Sequence, residues 1–442
     1  MHSYLRVAAL VAAAALVLSS CGTAAPPSAP ASATASLAAT ATPAPEPIVL
    51  NIMHNWGPAQ PARYEAMQAA FAGFQKDHPN VTIKEEIFGD DEIPTKVETA
   101  YVAGQEPDLV FQNLFQQTRD WLESGVVVDV APVLEATGLN DQLGSVPLGE
   151  YTLDDGRVVA IPLEGFMISI WYNQKILAAA GVDAPKTFQD LLDAVPKIKS
   201  AGYEPMVLGS DSGWSFFHVL LQSGAADVDV PDLYKNGGWS KSPGVLEALK
   251  AFVKLRNTGF VLGSGSALTQ EAMHQVFGDS KAAMAWEGSW GYSEIPANIQ
   301  SDVKLIGIPL ASGSPRTAPM VLSHFTGKGI FVTRNGAKKL STVEDFIKYF
   351  YRPEVLSPLV VNGGVITPLK APPTFPAGTS PVLGESFALV SQLDAKSVDN
   401  ARAVGLQVPQ AIFADWQNVI KSAYSSNASA EEIAQQLDSL YP

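Results

Sequence analysis

From residue 48 onward the chain alternates short apolar runs with stretches of helical period, and this alternation restricts it to an α/β architecture. Ile48–Met53 reads as a strand. Residues 61–76 follow, with Tyr64, Met67, Phe71 and Phe74 spaced by three, four and three as on one helix face. Val81–Phe88 and Pro107–Phe111 read as further strands, with a helix over Lys96–Ala103 that stops at Gly104. Val158–Ile161 and Met167–Tyr172 read as two more separate strands. Thr187-Phe188-Gln189-Asp190 opens a helix that Pro196 is expected to kink or shorten. Residues 244–256 repeat Val245, Leu249 and Phe252 at helical spacing. Ser341–Glu344 and Ser429–Glu432 read as capping boxes. The pattern predicts mostly parallel sheets flanked by helices, with no repeat of solenoid or propeller length.

The first 47 residues do not belong to this pattern. Arg6 is followed by an apolar run to Leu18 of about 12 residues, shorter than the roughly 20 needed to span a bilayer. Leu18-Ser19-Ser20-Cys21 then completes a secretory signal. It resembles the bacterial lipobox, in which the cysteine is lipidated and becomes the first mature residue. Cys21 is the only cysteine of the 442 residues, which excludes an intramolecular disulfide and a multi-cysteine zinc site. Residues 22–47 contain 10 Ala, 6 Pro, 3 Ser and 4 Thr, with almost nothing to bury. The division expected is therefore a signal peptide over 1–20, a lipidated Cys21 with its tether over 21–47, and a globular body. The formal charge of −15 argues against nucleic acid as a partner, because such binders need a basic surface to release counterions.

Several stretches of the body resemble family 1 extracellular solute-binding proteins, the carbohydrate-binding class served by ABC importers, with maltose-binding proteins as relatives. They are Phe74-Gln75-Lys76-Asp77-His78-Pro79-Asn80-Val81, then Gly104-Gln105-Glu106-Pro107-Asp108-Leu109, then Val159-Ala160-Ile161-Pro162 followed by Trp171-Tyr172-Asn173. The most specific is Phe277-Gly278-Asp279-Ser280-Lys281-Ala282-Ala283-Met284 with Gly288-Ser289-Trp290. The resemblance implies the two-lobed periplasmic-binding-protein-like fold of type II, with a ligand cleft at a hinge. By analogy the chain crosses between lobes near 161–165, 311–323 and 362–368. This assigns 48–161 and 324–362 to lobe 1, and 162–323 and 363–442 to lobe 2. It also implies a carbohydrate ligand, ABC permease subunits as partners, a monomeric receptor held extracytoplasmically by its lipid, and no cofactor.

A sugar presents apolar C–H faces and a rim of hydroxyls, so its site needs flat aromatic platforms beside carboxylates, amides and charged donors. His54-Asn55-Trp56 follows the first strand at its carboxyl end, where α/β ligands gather. Trp56 is read as a platform, and His54 or Asn55 as a hydrogen-bond partner. Gln112 and Asn113 follow another strand and are expected to face the cleft, whereas Asp108 is read as structural. Glu164 lies at the first crossing. In Gly209–Trp214, Trp214 is read as a second platform, with Asp211 as a weaker polar candidate. By its position Trp290 matches the family's stacking aromatic and leads the candidates. Glu287 stands near it, and Trp286 faces either cleft or core. His324 lies at the second crossing, and Phe413 matches a stacking aromatic of the maltose-type relatives.

Enzyme signatures are weak. Gly-x-Ser-x-Gly, the phosphate-binding loop and His-Glu-x-x-His are all missing from the sequence, and the 6 His are scattered, so no metal site is expected. The adjacent acids Glu85-Glu86, Asp90-Asp91, Asp154-Asp155 and Glu431-Glu432 read as solvated surface. The expectation is a binding protein without turnover. The alternatives are a lipid-anchored glycan hydrolase, which needs two opposed carboxylates, and a binding protein serving a sensor or a non-sugar ligand.

Overall fold

A computed structural model describes residues 46–209, 213–224, 230–261, 268–310, 314, 319–371, 373–377, 379–392, 398–399 and 408–442. Cys21, nearly all of the tether, and Asp211 lie outside them. Residues Glu46–Pro442 form one unit. No helix among the described residues is long and apolar enough to cross a membrane.

Strand β1 (Ile48–His54), helix α1 (Pro61–Asp77), β2 (Val81–Ile87), helix α2 (Ile93–Ala103) and β3 (Leu109–Gln112) follow the sequence pattern closely. Met67, Phe71 and Phe74 bury the inner face of α1, and Gly104 closes α2 in the left-handed conformation. Strand β4 (Ile161–Asn173) merges what read as two strands. The break expected between them is a bulge, with register shifts at Pro162/Glu164 and Glu164/Phe166. Then come β5 (Glu204–Leu208), β6 (Ala282–Gly288), β7 (Val303–Ile306), β8 (Val321–Val332) and β9 (Val398–Asp399).

Among the described residues the strands form one sheet, ordered β2-β1-β3-β8-β4-β6-β5, with β7 on β4 and β9 on β8. The sheet is mixed rather than mostly parallel. Pairs β1–β2, β1–β3, β5–β6 and β8–β9 are parallel, while β3–β8, β4–β6, β4–β7 and β4–β8 are antiparallel. The departure centres on β4 and β8, which pair with each other and run in opposite directions between two hydrophobic cores. One core gathers Leu50, Phe71, Phe111, Trp121 and Ile161 with Ile330, Phe346 and Phe350. Another gathers Ile170, Leu191, Phe216, Phe252 and Trp286 with Leu322, Trp416 and Leu437. A smaller cluster with Met167, Trp171, Val207 and Val321 covers the other face of the second part of the sheet, as the alternation of strand side chains requires. A third passage meets β4 where Gly165 and Ile366 exchange two backbone hydrogen bonds of 2.8 Å.

Three local expectations are corrected or refined. The helix Phe188–Ser200 runs on past Pro196: the cost of about 3 kcal/mol for an interior proline is offset by burying Leu191, Leu192, Val195 and Ile198. Its capping box is present, as is the one at Ser429–Glu432. At Ser341 there is none, because the helix Leu340–Phe350 starts two residues earlier than such a cap would place it, which leaves Ser341 inside its first turn. Its N-cap is Lys339, whose ammonium is anchored on the Val49 carbonyl at 2.6 Å and on Asp108 at 2.7 Å. Asp108 also accepts the Asn51 backbone N–H at 2.7 Å, a structural role.

Candidate ligand-binding site

Where β4 and β8 pass between the cores, Glu164 stands directly opposite Lys328. Both are nearly buried, at 7% and 3% exposure. Each takes a partner of opposite sign from the first core's elements. Arg63 of α1 pairs with Glu164, and Asp90, in the turn after β2, pairs with Lys328. Burial pushes the Glu164 carboxyl up against the opposing pull of Arg63 and Lys328, and it pushes the Lys328 ammonium down against Asp90 and Glu164. Asp90 and Glu85, read as solvated surface acids, are half-buried and carry specific partners. Glu85 accepts from His54, Gln68 and Tyr64.

The first core's strand ends surround this network. The Asn55 amide donates to Asp90 at 2.9 Å. Trp56 is 1% exposed, with the Arg63 guanidinium 4.2 Å over its ring and Phe111 edge-on at 5.8 Å. Its face is thus covered rather than open as a platform. Gln112 is buried, donating to the Asp90 carbonyl at 2.7 Å and accepting from Lys328 at 3.4 Å. It braces the network, and its Oε1 also accepts the Asn113 N–H at 2.6 Å. Half-buried Asn113 accepts the Thr118 hydroxyl on its carbonyl. His54 is corrected from the cleft to the interior. Nδ1 accepts the Trp56 N–H at 3.2 Å, and Nε2 faces Glu85 at 3.2 Å, so both nitrogens are occupied. Burial holds its pKa below the ordinary value, with Glu85 opposing.

On the other side of the joint, Trp290 follows β6. It is half-buried and set edge-on to Phe166 of β4 at 5.4 Å. The ring lies over Gly288, where a Cβ would overlap it. Gly364 has φ +61, and a Cβ there would meet the Ser289 carbonyl, the Tyr292 ring and the Trp290 backbone, so the third passage packs directly on the Trp290 turn. Trp286 belongs to the core. It is fully buried and edge-on to Phe216, and its indole N–H donates to Ser215 at 2.9 Å. Glu287 does not present its oxygens to the cleft, being 1% exposed. One oxygen accepts from His274 at 2.8 Å and Gln270 at 2.6 Å, and the other from the Gly288 N–H at 2.7 Å.

Trp214 is half-buried at the start of the helix Gly213–Gly224. Phe413 is half-buried and stacked on core Trp416, with centroids 6.3 Å apart. Neither has a described contact with the charged network. His324 lies on β8 opposite Phe166, and its side chain is outside the described set. Arg63, Asp90, Lys328, Tyr292 and Phe166 are additions that the sequence reading did not reach. Asp90 alone had drawn notice, as a surface acid. Among the described residues no group of three or more His, Cys, Asp or Glu is placed to hold a metal ion.

The His274–Glu287 pair carries a pH prediction. Burial pushes the His274 imidazolium down, but Glu287, with Glu294 and Glu271, more than offsets it, so its pKa lies above the ordinary 6.5. A raised folded value gives stability that is fully present below 6.5 and lost as pH rises through the folded value. Wild-type Tm measured from pH 6 to 8 should therefore fall by about 1–3 °C more than that of His274→Gln. Parallel curves would remove the ion pair from the account.

The profile of the bacterial extracellular solute-binding proteins matches residues 58–356. An uncharacterized ABC transporter extracellular-binding protein of Pyrococcus horikoshii is 25% identical over 400 residues, covering 87% of this chain and 86% of that one. A diacetylchitobiose-binding protein of Streptomyces coelicolor is 24% identical over 316 residues, covering 68% of this chain and 65% of that one. The crystal structure of a probable secreted solute-binding lipoprotein from Streptomyces coelicolor superposes with a TM-score of 0.77 at 26% identity, covering 89% of this chain and 98% of that one. Together with two hydrophobic cores joined by three chain passages, these matches establish that the chain belongs to the bacterial extracellular solute-binding protein family.

Proposed function

We propose that this protein is the extracytoplasmic receptor of an ABC importer, that it binds a sugar or oligosaccharide between its two lobes, and that it hands the ligand to the permease without chemical change. The observation that carries the reading is the joint itself. The β4–β8 pair and the 363–368 passage bring hydrogen-bonding residues at the first core's strand ends to the same joint as the Trp290–Phe166 aromatic pair beside the second core. The lobes divide along these segments, and closure about them encloses the ligand. The diacetylchitobiose-binding relative supports the ligand class, and the Pyrococcus relative, an uncharacterized ABC transporter extracellular-binding protein, supports the permease partner. Cys21 carries the lipid, the Ala/Pro-rich tether spaces the body from the membrane, and the receptor acts as a monomer.

Ligand must favour the closed form. Moving a population from 1:99 to 99:1 takes about 5.5 kcal/mol of differential binding. A stacked ring at about 0.5–1.5 kcal/mol and hydroxyl bonds to charged groups at about 1.5–3 kcal/mol each supply it. Isothermal titration against a panel of mono- and oligosaccharides should give one class with a micromolar or tighter Kd and no product on prolonged incubation. Heat from a polyamine or a metal chelate alone, with silence from every sugar, would reject the carbohydrate assignment. Release of reducing sugar would favour a hydrolase.

A further inference from the structure

The charged groups at the joint are arranged in a way that fold stability does not explain. Glu164 and Lys328 face each other across β4 and β8, with Arg63 on the first and Asp90 on the second. The four charges are two positive and two negative, and three of the side chains are at most 12% exposed. Buried ion pairs are replaceable by apolar residues of similar volume with little loss or even a gain of stability. Polar groups also remain unused in the same place. The Nε of Arg63, the indole Nε1 of Trp56 and the Oδ1 of Asn55 are buried without a hydrogen-bond partner. Two are donors and one is an acceptor: Arg63 lies over Trp56, and Asn55 bonds Asp90, the partner of Lys328. A buried polar atom left unpaired calls for a missing partner. Here the missing partner must both accept and donate, as a hydroxyl does.

The geometry points to Arg63, Asp90 and Lys328 as ligand-contacting residues beside Glu164, and to a charge-balanced site that selects an uncharged polyhydroxyl ligand over its phosphorylated or carboxylated counterparts. This rests on the carbohydrate reading and sharpens it. The elements that hold the four groups are those about which the lobes move, so opening exposes them and closing returns them to a poorly hydrated interior. A hydroxyl can donate to Glu164 or Asp90 while accepting from Arg63 or Lys328, leaving both ion pairs intact. An anionic group would instead compete with Glu164 and Asp90 for the same two cations. It would leave a carboxylate buried without its partner, with Glu85 behind His54 adding to the repulsion.

The test is isothermal titration of the full-length protein with maltotriose, xylotriose and N,N′-diacetylchitobiose as neutral probes. Trigalacturonate and sn-glycerol 3-phosphate serve as anionic ones. Wild type should bind at least one neutral probe and hold both anions about 100-fold more weakly or worse. Arg63→Ala should lower affinity for the neutral probe by about 10- to 100-fold at a temperature where the variant is still folded, with the ligand-free Tm itself lowered because Glu164 loses its partner. Glu164→Gln, which leaves a surplus positive charge, should narrow the gap between neutral and anionic probes. Two results overturn the inference while leaving the carbohydrate reading standing: an anionic probe bound as tightly as the best neutral one, or Arg63→Ala and Arg63→Gln that both bind like wild type. If the protein binds sn-glycerol 3-phosphate and no sugar, the carbohydrate reading falls and this inference with it.

Discussion

Replacing Trp290 by alanine should lower affinity for the neutral sugar ligand by about 100-fold or more, equivalent to about 2.7 kcal/mol, while the ligand-free Tm stays within about 2 °C of wild type. The ring is half-buried, with Phe166 against its edge and Gly288 beneath it, so truncation opens no closed cavity in the core. What is lost is a flat apolar surface at the joint, against which a sugar's C–H face can pack. Trp290→Phe should recover part of the affinity because a smaller ring keeps the platform. Titration and thermal melting on the same preparations decide the matter. A Tm loss as large as the affinity loss would make Trp290 a packing residue.

Replacing Trp286 by alanine should do the opposite. Trp286 lies four residues earlier and is fully buried against Phe216, with its indole N–H on Ser215. Removing a buried tryptophan costs about 3–5 kcal/mol through lost transfer energy and the cavity left behind, here with the Ser215 hydroxyl deprived of its donor as well. For a protein of this size that corresponds to a fall in Tm of roughly 4–6 °C, read by calorimetry. The residual folded protein should still bind sugar within a few-fold of wild type. An unchanged Tm together with lost binding would move Trp286 from the core to the ligand. The two substitutions form a control for each other, since one motif supplies both tryptophans.

Much of the architecture was legible because burial leaves a periodic trace. The α1 face and β1 through β3 appear in the sequence as repeats of three to four and as short apolar runs, since each element buries one side locally. The merging of two apparent strands into β4 was not legible. A bulge interrupts the alternation as a loop does, and only the β8 partner shows that the strand continues. The mixed sheet was missed for a related reason. Apolar runs report burial but not direction, and the antiparallel β4–β8 pair arises from where the chain crosses, not from any local preference.

The site divides in the same way. Sequence alone singles out Asn55, Trp56, Gln112, Asn113, Glu164 and Trp290 as candidates, because strand ends and turn glycines mark where an α/β chain exposes side chains to a cleft, yet Trp56, Gln112 and Glu164 are themselves buried at the joint. His54, Glu287 and Trp286 stand at equivalent positions and turn inward, each held by partners 31, 13 and 71 residues away. The Arg63–Glu164 pair spans 101 residues and the Lys328–Asp90 pair 238, so no window of sequence contains either. By itself, then, the sequence determined the single cysteine and its position, the α/β class, the resemblance to the family and the strand ends at which candidate residues lie. These depend on composition and local periodicity. Only the tertiary structure decided which of those residues turn inward and which charges meet at the joint, because both depend on which distant segments the topology places across β4 and β8.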